Sequence, residues 1–290
     1  MRSIFVVIFG LCLPLSLCSA EPKPGVERDF QIHPKLKMKF CWIPAGECQL
    51  GSVKGERDEM MKFIEMMKFT RDKGEPAWLA AEAEEKRGRM KTNGFWLGKF
   101  EVTQQEWDAL MPSNRSYFRK GSIREERVVG IDTSRFPVEN VSWNACQDFL
   151  KKCSLEGYEI RLPHEDEWEY AYRGGKGNKQ AFYWGNELRG DKANVNGGYP
   201  FGTVEKGNFV GRPTVVGSYE EKAPHPWGLC DMSGNVIEWC HNEYDTGRAL
   251  RGGDWGAIPG DCRGARRESY GPEYHYSEIG FRIAMIPVKK

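Results

Sequence analysis

Thiols are the side chains in this chain whose chemistry would be most distinctive. Of nine cysteines, seven lie beyond residue 20: Cys41, Cys48, Cys146, Cys153, Cys230, Cys240 and Cys262. An odd number leaves at least one free or paired between chains. Cys41 and Cys48 flank Pro44-Ala45-Gly46, a turn-like triplet that would let them face each other across two strands. Cys146 and Cys153 fall on one predicted helix face but about 10 Å apart, too far to bridge. No Cys-x-x-Cys or Cys/His cluster has zinc spacing among the five histidines His33, His164, His225, His241 and His275. A Gly-x-Ser-x-Gly elbow, a phosphate-binding glycine loop and a His-Glu-x-x-His helix are also absent from the sequence, which removes the common hydrolase and nucleotide chemistries.

The elements that would position these residues are short. Residues 1–20 read as a signal peptide: Arg2, an uncharged apolar run, then Cys18-Ser19-Ala20. Residues 21–36 look like a short tether, and residues 39–51 like a hairpin. Residues 53–89 are dense in charge, with Met60, Phe63, Ile64, Met67 and Phe69 near helical spacing, a charged helical insertion. Residues 95–102 read as a strand. Thr103-Gln104-Gln105-Glu106 is a capping box opening a helix, Ser142 caps a second, and Arg161-Leu162-Pro163 precedes a third that carries Trp168, Ala171 and Tyr172. His164 stands where that third helix needs a cap, and an imidazole should cap less well than a hydroxyl. From Gly174 onward periodicity gives way to Gly-, Asn- and Trp-rich loops, until residues 280–284 read as a final strand. The 33 glycines and 10 tryptophans suit irregular backbone pinned by large rings. Loss of Arg2 with the leader leaves 41 basic against 41 acidic residues. That balance argues against nucleic acid or an anionic membrane as partner.

Seven blocks, in order, then resemble one family. They are Phe95-Trp96-Leu97-Gly98-Lys99-Phe100-Glu101-Val102-Thr103, Pro137-Val138-Glu139-Asn140-Val141-Ser142-Trp143, Arg161-Leu162-Pro163 with Glu167-Trp168-Glu169-Tyr170-Ala171, and Tyr183-Trp184-Gly185. Gly228-Leu229-Cys230-Asp231-Met232-Ser233-Gly234-Asn235-Val236-Ile237-Glu238-Trp239, Arg251-Gly252-Gly253 and Gly280-Phe281-Arg282 complete the set. Over residues 37–288 the chain resembles the formylglycine-generating enzyme, or sulfatase-modifying factor, domain. The resemblance implies an α+β, loop-rich fold of the C-type-lectin-like grouping. It also implies an oxidase in which copper, held by two cysteines, activates oxygen to convert a sulfatase cysteine to formylglycine. Cuprous ion suits thiolates because both are soft.

The chain departs from that pattern where the chemistry would lie. Counting from Gly253, the first cysteine position falls on Ala257 and the second on Cys262, and the family serine is Asp254. A methyl group cannot ligate copper. A related branch that uses non-haem iron needs His-x-x-x-His-x-Glu, and His241-Asn242-Glu243 alone does not supply it. Calcium sites implied by the resemblance map onto Asn235, Val236 and Glu238, and onto Asn194 and Val195, with oxygen donors that suit this hard ion. Asp231, Arg251, Arg263, Arg266 and Arg267 fall in the region of the family's peptide groove, where Arg266-Arg267 could take an acidic peptide or sugar or simply form ion pairs. Two functions stay open: an exported, periplasmic or extracellular module binding a peptide, glycan or protein, or a copper oxidase using Cys262.

Overall fold

The computed structural model describes residues 21–52, 56, 58, 59, 62, 87–177 and 179–288. The signal-peptide segment and the Met60 to Phe69 stripe lie outside the described residues, although Glu56, Asp58, Glu59 and Lys62 are helical. Among the described residues no helix is long and apolar enough to cross a membrane.

The main sheet has five antiparallel strands in the order β1-β2-β5-β11-β6: β1 (Glu27–His33), β2 (Leu36–Ile43), β5 (Phe95–Gly98), β11 (Ala284–Pro287) and β6 (Tyr158–Arg161). β2 starts as a half-buried strand, with Leu36, Met38 and Phe40 inward and Lys37 and Lys39 outward, and then turns wholly inward at Cys41, Trp42 and Ile43. The central β5 is buried along its whole length, as Phe-Trp-Leu-Gly requires. The stretch 21–36 is therefore more than a tether. β1 occupies the sheet's edge, Ile32 is buried, and Phe30 packs edge-on to Trp96 at 4.9 Å and Phe40 at 5.8 Å. Two apolar residues among charges make a weak signal until the partner strand is known.

The hairpin over 39–51 is also replaced. After β2 the chain leaves the main sheet at Pro44, and β3 (Gly46–Gln49) pairs with β4 (Arg89–Thr92), on the far side of the insertion. Cys41 and Cys48 sit in different sheets, and all seven described cysteines are free thiols. The insertion thus springs from the end of a two-stranded ribbon.

A second sheet runs β10-β7-β8-β9: β10 (Ile279–Gly280), β7 (Ile237–Tyr244), β8 (Gly247–Arg251) and β9 (Glu268–Tyr270), with β10 parallel to β7. The expected strand at 280–284 is the crossing between sheets: it ends β10, passes through Phe281, Arg282 and Ile283, and enters β11.

Among the described residues, three α-helices pack on the sheets. α1 (Gln104–Leu110) has the expected capping box, Thr103 receiving the Glu106 amide while Glu106 accepts the Thr103 amide. α2 (Trp143–Leu150) is capped by Ser142 and buries Cys146, Phe149 and Leu150. α3 (Glu165–Tyr172) is capped by His164, whose Nδ1 accepts the Asp166 amide at 3.2 Å, completed by Glu167 returning to the His164 amide. The imidazole caps in its neutral form, because Nδ1 must be free to accept the amide. Trp107, Phe149 and Phe281 lock α1 and α2 to the crossing segment, while Trp168 and Tyr172 of α3 lie in a second core under the β7–β8 pair.

Candidate functional site

The loop from Gly252 to Cys262 is shaped by its glycines. Gly252 and Gly253 have φ of 100° and 66°, and a Cβ on Gly253 would collide with the Cys262 sulfur. Asp254 then pins the turn, its Oδ1 accepting the amides of Gly256 at 2.8 Å and Ala257 at 3.0 Å. A short 3-10 turn, Pro259–Cys262, drives the thiol inward. Cys262 is 0% exposed, in an apolar cluster with Ala181, Phe182, Leu188, Val195 and Phe201, and Ala257 and Ile258 close the side. Its S–H points to the Ile258 carbonyl at 3.8 Å. Burial, then the nearby Asp254, Asp261 and Glu268, push this thiol well above its usual range.

A soft copper centre needs two thiolates with access. Here one position is a methyl group and the other a sealed, protonated thiol. Of the other buried cysteines, Cys146 belongs to the main-sheet core and Cys41, Cys48 and Cys240 to the α3 core, and Cys230 lies outside these clusters. No group of three or more His, Cys, Asp or Glu among the described residues is placed to hold a metal. These residues do not fit the two-sulfur copper site.

The candidate calcium donors are drawn together differently from what the resemblance implies. Asn194 and Asn235, assigned to separate sites, are bonded to each other: Asn194 Nδ2 donates to Asn235 Oδ1 at 3.1 Å. That same oxygen accepts the Thr214 amide at 2.9 Å, and Asn235 Nδ2 donates to both Glu101 oxygens at 3.2 Å. Glu238 faces elsewhere. Its Oε1 takes Arg282 at 2.6 Å, and its Oε2 takes Arg282 Nε at 2.7 Å and Trp168 Nε1 at 2.9 Å. Val236 and Val195 are core residues, the former against Gly280 and the latter in the Cys262 cluster. A cation already neutralises Glu238, and it is the Arg282 guanidinium. The Asn194 Oδ1 atom is left without a partner, but one such oxygen is far from the six to eight that calcium takes. The Asn194, Asn235 and Glu238 side chains are thus engaged with protein partners.

The expected groove residues are internal struts. Arg251, 0% exposed, bonds Glu169 Oε2 at 2.7 Å and the Gly264 carbonyl at 2.7 Å. Arg263 is buried on Glu56 and on the Gly260 carbonyl. Arg266 bridges Asp261 and Glu268, and Arg267 holds Glu165 and lies 3.6 Å over the Tyr244 ring. Asp231, with φ of 55°, accepts the Gly217 amide at 2.5 Å, and burial lifts its carboxyl to about 6. Arg251, Arg263 and Asp231 therefore line no groove, because a buried charge must be paired where it stands.

Sequence reasoning missed the hub that binds these struts. Glu165 and Glu169 on α3 gather Arg87, Arg173, Arg251 and Arg267. Glu169 takes Gly51 N at 2.7 Å and Arg173 at 2.7 Å on one oxygen, and Arg251 on the other. Burial pushes Glu165 up, but the Arg267 hydrogen bond and the Arg251 and Arg87 charges hold it at about 2. The visible signal was the spacing of 165, 169 and 173, which stacks two acids and an arginine on one helix face.

Comparison with known proteins agrees with this architecture. Over 189 residues the chain is 32% identical to the bovine (Bos taurus) inactive C-alpha-formylglycine-generating enzyme 2, covering 60% of this chain and 58% of that one. Over 174 residues it is 34% identical to the formylglycine-generating enzyme of Streptomyces coelicolor, covering 51% and 52%. The match thus spans little more than half the length of these relatives. Among solved structures, Treponema denticola variable protein 1 superposes with a TM-score of 0.65 at 21% identity, over 90% of this chain and 99% of that one, which shows the shared fold. The family described as the sulfatase-modifying factor enzyme 1-like domain matches residues 28–286, starting inside β1 as the sheet topology requires. This chain belongs to the sulfatase-modifying factor enzyme 1-like family.

Proposed function

We propose that this chain is an exported binding module of the family and that it does not oxidise cysteine. One observation carries the reading: Ala257 stands where a sulfur ligand is needed, and Cys262 is sealed in an apolar cluster as a thiol. A bovine relative described as inactive shows that the family includes members without the activity. The runner-up, a formylglycine-generating oxidase acting on a sulfatase cysteine, would require Cys262 to open, ionise and bind copper alone. Export rests on residues 1–20 and would place the module in a periplasmic or extracellular space, where it would meet a peptide, glycan or protein.

The test is direct. The purified protein is incubated with copper, oxygen and a sulfatase-derived cysteine peptide, with a Cys262→Ser variant in parallel. Unchanged peptide mass is expected for both. Aldehyde formation by the wild type alone would establish the oxidase.

A further inference from the structure

A polar cleft of about 320 Å³ opens beside α1, and all eight residues that line it are polar or charged. Ligand clefts run from roughly 300 to 1,000 Å³, so this one has room for a small ligand. One wall is the helix face that carries Gln104 and Asp108, one turn apart. A second is the turn with Arg119 and Lys120, and a third runs from Asp132 to Ser134.

Internal hydrogen bonds fix these walls. Ser122 Oγ accepts the Arg119 amide at 3.3 Å and donates to the Arg119 carbonyl at 2.7 Å. Asp132 Oδ1 accepts the Ser134 amide at 2.9 Å. The amides of Gln104 and Gln105 donate to the carbonyls of Phe136 at 2.9 Å and Ser134 at 3.0 Å. The start of the helix is thus spent on its own loop, and recognition falls to side chains.

Gln104 is an independent sign of a ligand. It is only 3% exposed, and its Nε2 donates to the Phe118 carbonyl at 3.2 Å. Its Oε1 accepts nothing from the described residues, yet it is not among the polar atoms sealed from solvent, because Gln104 lines the cleft. A buried amide is therefore held by its nitrogen with its acceptor left open. Arg119 spends Nη1 on the Asn114 carbonyl at 2.8 Å, and its side chain makes no salt bridge with the described residues. Asp108 and Lys120 have no side-chain partner among those residues.

We infer that this cleft binds a neutral oligosaccharide. The carboxylates and the Gln104 oxygen only accept, Arg119 and Lys120 only donate, and a sugar hydroxyl does both. Two acids and two cations line the cleft, so a ligand of either sign gains no net field. A peptide would find neither an apolar pocket for its side chains nor a strand edge to pair with. The inference rests on the binding-module reading and selects a ligand class for it.

Isothermal titration calorimetry of the full-length protein tests it, with maltotriose, cellotriose, mannotriose and chitotriose as probes. Triglycine and citrate serve as the zwitterionic and anionic arms. Saturable binding of at least one trisaccharide is expected, equal at low and high salt. Asp108→Ala and Lys120→Ala, at exposed positions, should each weaken it about three- to tenfold with unchanged melting temperature. Gln104→Met should weaken it as much, and if that variant fails to fold the other two decide. Asp148→Asn, on α2 and bonded to Lys151, should leave binding unchanged. No trisaccharide binding, insensitivity to both Asp108→Ala and Lys120→Ala, or tighter binding of triglycine or citrate would overturn the inference. Aldehyde formation in the peptide assay would sink the non-catalytic reading instead, without touching this result.

Discussion

Single residues decide the chemistry here. Cys262 has no exposed surface and a thiol pushed far from ionisation, so iodoacetamide should not label it in the folded protein and should label it fully in denaturant. Peptide mass mapping would check this; labelling of Cys262 in the native state would contradict it. Arg282 and Glu238 form a doubly hydrogen-bonded buried pair that also holds the carbonyls of Gly98 and Cys230. Truncation of one partner strands the other, so Arg282→Met should cost about 3–5 kcal/mol by urea denaturation. The sequence showed that Glu238 and Arg282 lie in motifs. It could not show that they meet, since 44 residues separate them and the contact arises only when the chain crosses between sheets.

At the level of elements, local signals were readable and distant pairings were not. The caps at Thr103 and Ser142 were legible because each is settled within four residues. Thr103→Ala should cost about 1 kcal/mol, measured from the urea midpoint at constant slope. β1 was hidden because its evidence lies in its partner β2, and β3 because its partner β4 stands beyond the insertion. If β1 is integral to the sheet, Ile32→Ala should destabilise by about 2–5 kcal/mol, whereas a tether residue would cost close to nothing. The His225 ring, which joins α3 to the loop after it, is a pH-sensitive strut. Its Nε2 meets the Tyr172 carbonyl at 3.0 Å and its Nδ1 accepts the Trp227 amide at 3.0 Å, an arrangement that needs the neutral ring. Burial first, together with the Arg282 field, lowers its pKa to about 4, against about 6.5 when unfolded. The unfolded chain therefore binds this proton more readily. The stabilisation is complete above about pH 6.5 and is lost as pH falls toward 4, worth roughly 3 kcal/mol. Raised acids such as Asp254 act in the opposite direction over part of this range, so the ring must be followed by itself. An NMR titration of His225 should give a midpoint near 4, and a midpoint near 6.5 would refute the strut.

For the molecule as a whole, the loop-rich architecture is tied together by internal charge pairs. The Glu165–Glu169 hub ties α3, the β3–β4 ribbon and β8 together, and Arg282 ties both sheets to the Cys230 loop. The motifs revealed the family and the fold class because their order survives any single substitution. They named candidate site residues but not their contacts, because a motif records which residues recur and not what each one touches. The central claim is that the copper centre has been lost. Titration of cuprous ion into the reduced full-length protein, in competition with a chromogenic cuprous chelator, tests it most directly. The account predicts that the chelator keeps the metal, with wild type and Cys262→Ser indistinguishable. One equivalent of cuprous ion taken from the chelator by the wild type, and released by Cys262→Ser, would contradict it.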